Sequence, residues 1–214
     1  MVNRLGVIPA AGKAMRFGGI PKELLPVADG ATLIKRTLTA MFNGGCDTCL
    51  VVTNRDKMIT HASHLEGWNV YFAEQKGKRD IWSAMVESFP ICGKENLFAM
   101  PDTYIPADVF IDFMDGDFTL GVFETWMPER FGVITETGVV NKQKLPAGIY
   151  SAWGVLGWSN KVVKFWVDHI EHIETYTHAI NMAMSKFGYK LKPMDFYYDL
   201  AGWSDYQEFV RGQL

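Results

Sequence analysis

The chain has 214 residues, 48% hydrophobic and 21% charged, close to globular averages, which excludes a disordered chain and a fibrous repeat. Lysine and arginine number 21 against 24 acidic residues, a formal net charge of -3, so no broad positive field is available to grip a nucleic-acid backbone and no nucleic-acid partner is expected. No run approaches the roughly 18 apolar residues of a spanning helix, and Pro9 and Gly12 come too early for a secretory h-region. The expectation is a cytoplasmic protein with no membrane partner, folded as one domain over residues 1–214.

Short apolar runs bounded by turn residues, at 5–8, 50–52, 70–72 and 97–100, predict buried strands. Between them Leu33, Thr37, Leu38 and Met41 follow helical spacing, as does the segment 81–89. That alternation predicts a parallel sheet covered on both faces. After Pro101 the segments 118–123 and 132–135 read as strands without long helices between them, Gly138 marks a hairpin turn, and a substrate-facing β insertion is expected here. A helical region over 160–187 is capped by Ser159 or Asn160 and breaks near Glu174 and Thr175. A last strand near 196–200 precedes a short helix from about Ser204. The fold class is α/β: a three-layer α/β/α, Rossmann-like arrangement with a mixed, mostly parallel sheet and a small β insertion.

Two constellations favour plain packing. Cys46 and Cys49 form a CxxC with no second pair to complete a zinc site, and the odd total of three cysteines does not make a disulfide framework. His169 and His172 share a predicted helix three residues apart, with no third ligand nearby.

The segment from Gly6 to Val27 is the most informative. A buried strand runs into Ala10, Ala11 and Gly12, then into Arg16 and Lys22. Ligands of open α/β sheets bind at the carboxyl ends of strands. Small side chains there let backbone amides approach an anion, and two cations can neutralise a polyphosphate. The spacing is neither the dinucleotide G-x-G-x-x-G nor a Walker A loop.

The loop Gly12-Lys13-Ala14-Met15-Arg16 and the element Pro21-Lys22-Glu23-Leu24-Leu25-Pro26-Val27 resemble the nucleotidyltransferase superfamily, the sugar-1-phosphate nucleotidylyltransferases and their cytidylyltransferase relatives. Ala14-Met15 replaces the family's Gly-Thr. The likeness continues through Ala73-Glu74-Gln75-Lys76-Gly77, where Gln75 and Gly77 take the place of base contacts. It includes Leu97 to Tyr104 with Asp102 as a metal aspartate, and Glu129-Arg130-Phe131-Gly132-Val133-Ile134 as a hairpin. Gln143-Lys144-Leu145-Pro146 stands where Glu-Lys-Pro is usual, followed by Ala147-Gly148-Ile149-Tyr150. Phe196 to Tyr206 is similar to the element bearing the second metal aspartate, here Asp199.

The resemblance implies the nucleotidyltransferase fold and attack by a phosphorylated acceptor on the α-phosphorus of an NTP. Lys22 and Arg16 are then the catalytic cations, and Ala10, Ala11, Gly12, Gln75 and Gly77 the nucleotide contacts. Gly132, Lys144 and Gly148 become acceptor contacts, and Asp102 and Asp199 the Mg2+ ligands. Trp126, Trp153 and Trp158 are candidates for the acceptor pocket. The expected partners are an NTP and a phosphorylated small-molecule acceptor, with homo-oligomer formation left open. The leading expectation is a sugar-1-phosphate nucleotidylyltransferase. A CTP-dependent enzyme acting on an alcohol or amino-alcohol phosphate, and an inactive nucleotide-binding sensor, are the alternatives.

Overall fold

The structure, a computed structural model, describes residues 2–27, 30–78 and 80–213, with backbone alone at Arg16 and Gln213. Its centre is four parallel strands: β1 (Arg4–Pro9), β2 (Thr48–Thr53), β3 (Val70–Glu74) and β4 (Glu95–Ala99). β1 lies between β2 and β4, Val7 standing opposite both Leu50 and Phe98. All six residues of β2 are buried, as a strand covered on both faces requires.

A two-residue strand, β5 (Thr103–Tyr104), leaves this sheet. The chain then adds β6 (Phe118–Thr125), the hairpin β7 (Gly132–Thr135) and β8 (Gly138–Asn141), and the long β9 (Tyr150–Ser159). β10 (Lys190–Pro193) and the short β11 (Tyr198–Asp199) complete the strands among the described residues. The main sheet runs β10-β6-β9-β4-β1-β2-β3, with β7 joined to β9 and β8 to β7. β9 is antiparallel to both neighbours, so the sheet is mixed on this side.

Helices cover both faces. α1 (Leu33–Asn43) buries Ile34, Leu38 and Met41 against Ile8, Val51 and Leu97. α2 (Arg55–His64) starts at Asn54, whose side chain accepts from the Lys57 N–H. α3 (Ile81–Ser88), α4 (Asn160–Asp168) and α5 (Tyr176–Phe187) pack Trp82, Trp166 and Ile180 onto Val7, Phe98 and Leu156 on the other face. Asp80, Ser159 and Thr175 cap them, each satisfying one orphan amide of a helix start. α6 (Trp203–Gln213) ends the described chain.

The expected strands and helices are found, but the short β5 and the long β9 were not anticipated, and three further differences stand out. α2 was not anticipated. Nor was β10, a polar edge strand pairing parallel to β6. The strand expected near 196–200 is only Tyr198–Asp199 and pairs with β5 outside the main sheet, because Leu200 turns into a third cluster with Phe17, Leu25, Leu33 and Phe209. Among the described residues no helix is long and apolar enough to cross a membrane. Cys46 and Cys49 are buried free thiols, and no group of three metal-ligating His, Cys, Asp or Glu side chains is present among the described residues.

Candidate active site

β1 ends at Pro9 and delivers Ala10, Ala11 and Gly12 to the carboxyl edge of the sheet. The following turn places Ala14 at φ 50°, a left-handed conformation that glycine adopts without strain. Phe17 then anchors the loop, buried with its ring 4.8 Å from that of Trp203. A second short turn, Lys22–Leu24, brings Lys22 back beneath the loop. Ala10, Ala11, Gly12, Lys22, Gln75 and Asp102 line one cleft of about 160 Å3.

Asp102 follows β4, and Asp199 lies on β11. The β5–β11 ladder sets Asp199 opposite Thr103, and the Leu200 N–H donates to the Asp102 carbonyl at 3.3 Å. Two carboxylates nearly a hundred positions apart in the chain are thereby neighbours. Lys22 forms an ion pair with Asp102 Oδ2. Arg130 binds Asp199 Oδ2 at 3.2 Å and Asp205 Oδ1 at 3.2 Å. Burial, then the charge of Asp102, push the Asp199 carboxyl above its ordinary range, while Arg130 and Lys22 pull it back. Asp102 Oδ1 is buried with no hydrogen-bond partner among the described residues.

A second cleft, of about 380 Å3, opens on the other side of Lys22 and Asp102. Arg130, Gly132, Asn141, Lys142, Trp153, Tyr176, Tyr197 and Asp199 line it. Trp153 lies directly over Gly132, where a Cβ would collide with its Nε1. Trp153 Nε1 and Asn141 Oδ1, a donor and an acceptor, are both buried and unpartnered among the described residues. The two clefts share Lys22, Ile81, Met100 and Asp102, so whatever lies in one meets what lies in the other at this ion pair.

Residues 6–99 match the sequence profile of the MobA-like NTP transferase domain. Over that segment, a little under half of the chain, the sequence is similar to this transferase family. A Bacillus anthracis protein assigned as a glucose-1-phosphate thymidylyltransferase, solved in complex with sucrose, has the same fold with a TM-score of 0.83 and 18% identity. The match covers 97% of this chain and 94% of that one. No curated protein sequence matches the chain.

The structure gathers Ala10, Ala11, Gly12, Lys22, Gln75, Asp102, Gly132 and Asp199 around the joined clefts. Gln75 also braces its own loop, donating to the carbonyls of Lys78 at 3.0 Å and Asp80 at 2.7 Å. The side chain of Arg16 lies outside the described residues. Gly77 is an exposed turn glycine at φ 71° and lines neither cleft. Lys144 and Gly148 are also away from both. β8 ends at Asn141, and Asn141 and Lys142 line the second cleft, where Lys144 had been expected. Of the three tryptophans only Trp153 lines the cleft; Trp126 is exposed and Trp158 lies in the core. Lys57, Arg130, Asn141, Lys142 and Tyr197 were not given roles from sequence, although Arg130 lies inside a quoted family motif.

Proposed function

We propose that the protein transfers a nucleoside monophosphate group from an NTP to a sugar 1-phosphate, releasing pyrophosphate. One observation carries this reading: Lys22, Asp102 and Asp199 converge at the junction of a small-residue cleft and a polar cleft. The NTP occupies the first, the acceptor the second, and the α-phosphorus lies at their junction.

An acceptor phosphate oxygen attacks the α-phosphorus, and the bond to the β-phosphate oxygen breaks with its electron pair leaving on pyrophosphate. The acceptor is already ionised at neutral pH, so catalysis consists of positioning and charge stabilisation rather than proton removal. Lys22 stabilises charge at the α-phosphate. Arg16, whose role rests on the family motif, is assigned to the departing phosphates. Arg130 holds Asp199 in place and brings positive charge to the acceptor cleft.

Asp102 and Asp199 suit Mg2+, a hard cation held by one or two carboxylates plus substrate phosphates. The unpartnered Asp102 Oδ1 and the raised Asp199 carboxyl describe a pair short of positive charge. When bound, the ion supplies charge neutralisation between the triphosphate and the incoming phosphate.

The acceptor class follows from Asn141 Oδ1 and Trp153 Nε1. A hydroxyl both donates and accepts, so a polyhydroxylated phosphate satisfies both groups, and Lys142 adds a further donor. A second reading, a CTP-dependent enzyme for an amino-alcohol phosphate, draws on a neighbouring recess of about 390 Å3 beyond Arg130. Phe131, Tyr197, Tyr198 and Phe209 line that recess with Asp205 and Glu208, an aromatic and acidic wall suited to an organic cation.

Pyrophosphate release measured for four NTPs against sugar 1-phosphates, polyol phosphates and choline phosphate with Mg2+ separates these readings. Release with a sugar 1-phosphate is expected. Release with choline phosphate alone would transfer the assignment to the second reading, and NTP binding without release from any pair would make the protein a sensor.

A further inference from the structure

Beside the small-residue loop lies a buried polar cluster to which the chemistry above gives no role, although Glu23 and Lys57 border the same cleft. Glu23, next to Lys22, is 2% exposed, Lys57 8% and His61 0%. Lys57 Nζ donates to Glu23 Oε1 at 2.7 Å and to the Ala10 carbonyl at 3.2 Å. His61 Nε2 lies 2.8 Å from the same Glu23 oxygen, and its Nδ1 lies 2.8 Å from Thr53 Oγ1. Asn54 accepts from the Lys57 N–H through its side-chain oxygen at 3.0 Å and donates its amide to the Ala11 carbonyl at 2.9 Å. An apolar cluster of similar volume would hold α2 to the sheet as well or better, so the choice of these groups calls for another reason.

Peptide geometry supplies one. Across a trans peptide the C=O of one residue and the N–H of the next point in opposite directions. Lys57 draws the Ala10 carbonyl toward α2, and Asn54 does the same to the Ala11 carbonyl. The N–H groups of Ala11 and Gly12 are therefore turned away from the Lys57 and Asn54 side chains, in a loop that lines the nucleotide cleft. Neither N–H donates to another group among the described residues.

We propose that Lys57, Asn54 and Glu23 are positioning residues: they clamp the carbonyls of Ala10 and Ala11 so that the next two amides are preset for the triphosphate. Glu23 ties the same clamp to the turn that carries Lys22, so the loop and its cation are fixed by one network. The clamp deepens the nucleotide reading of the smaller cleft and rests on it.

The test uses the full chain with Mg2+ and inorganic tripolyphosphate, without acceptor, in a calorimetric titration well below the Tm of each variant. Two variants keep the fold by different means. Lys57→Met combined with Glu23→Gln removes the clamp on Ala10 without leaving a buried lone charge, and Gln retains an acceptor for His61. Asn54→Asp keeps the helix cap and loses the donor to Ala11. Each is expected to weaken tripolyphosphate binding on the order of tenfold and to raise the KM for NTP similarly, leaving the acceptor KM unchanged. Wild-type affinity in both folded variants, with only a lowered Tm, would overturn the clamp and leave a structural role. Failure of the unmodified protein to bind tripolyphosphate or any NTP would overturn the nucleotide reading itself, and the clamp with it.

Discussion

Burial and the neighbouring Asp102 raise the Asp199 carboxyl above its ordinary value of 3.8. The native state then holds that proton more tightly than the unfolded chain does, so this group's contribution lowers stability as pH rises from about 3.8 through the raised value. In the absence of divalent cation Asp199→Asn should accordingly retain or raise the Tm at neutral pH, while turnover falls at least about a hundredfold. A carboxyl titration by NMR should show the Asp199 midpoint move down on addition of Mg2+; an unmoved midpoint would argue against an ion at this carboxylate. Lys22→Ala should fold normally and lose on the order of a hundredfold or more in kcat, and near-normal turnover would reject its role. Lys142→Ala should raise the acceptor KM on the order of tenfold, whereas Lys144→Ala should leave it unchanged. Sequence alone pointed to Lys144. β8 closes at Asn141, and Lys144 falls in the irregular segment beyond it and lines neither cleft, so the motif did not identify the cleft residue.

Among the elements, α2 shows most plainly what a sequence withholds. Its buried side chains include Lys57 and His61 in place of an apolar stripe, so the periodicity that exposed α1 and α3 had nothing to register. Its tether is the Glu23 carboxylate. Burial opposes the charge on Glu23, but the hydrogen bond from His61 and the charge of Lys57 overcome it and hold the carboxyl below its ordinary 4.5. The stabilisation is therefore present above about 4.5 and lost as pH falls through the lowered folded value. Leu or Ala at position 57 would strand the buried carboxylate and should cost about 3–5 kcal/mol. Glu23→Gln should lower the Tm at neutral pH and shrink the difference from wild type in acid, as followed by thermal melts across pH. A difference that persists unchanged at low pH would contradict the ionised tether. β10 escaped notice for a related reason: Lys190, Leu191 and Pro193 are exposed and carry no buried alternation.

At the level of the whole molecule, the strand order from β1 to β4 was legible because each appears as an apolar run, with β1, β2 and β4 buried, whereas the helix between β2 and β3 was not. The junction of the two clefts was legible only through the family motif, since nothing in the spacing of Asp102 and Asp199 announces that β5 and β11 will pair. Distance along the chain conceals the contact, and the short ladder between Thr103 and Asp199 creates it. The proposed transfer requires one divalent ion and one triphosphate to meet where Lys22, Asp102 and Asp199 converge. Anomalous diffraction from crystals grown with Mn2+ and a non-hydrolysable NTP analogue measures this directly. A single peak is expected between the Asp102 and Asp199 carboxylates, contacting the α-phosphate, with the nucleoside beside Ala10 to Gly12. A nucleotide seated elsewhere, or a metal that touches neither carboxylate, would contradict it.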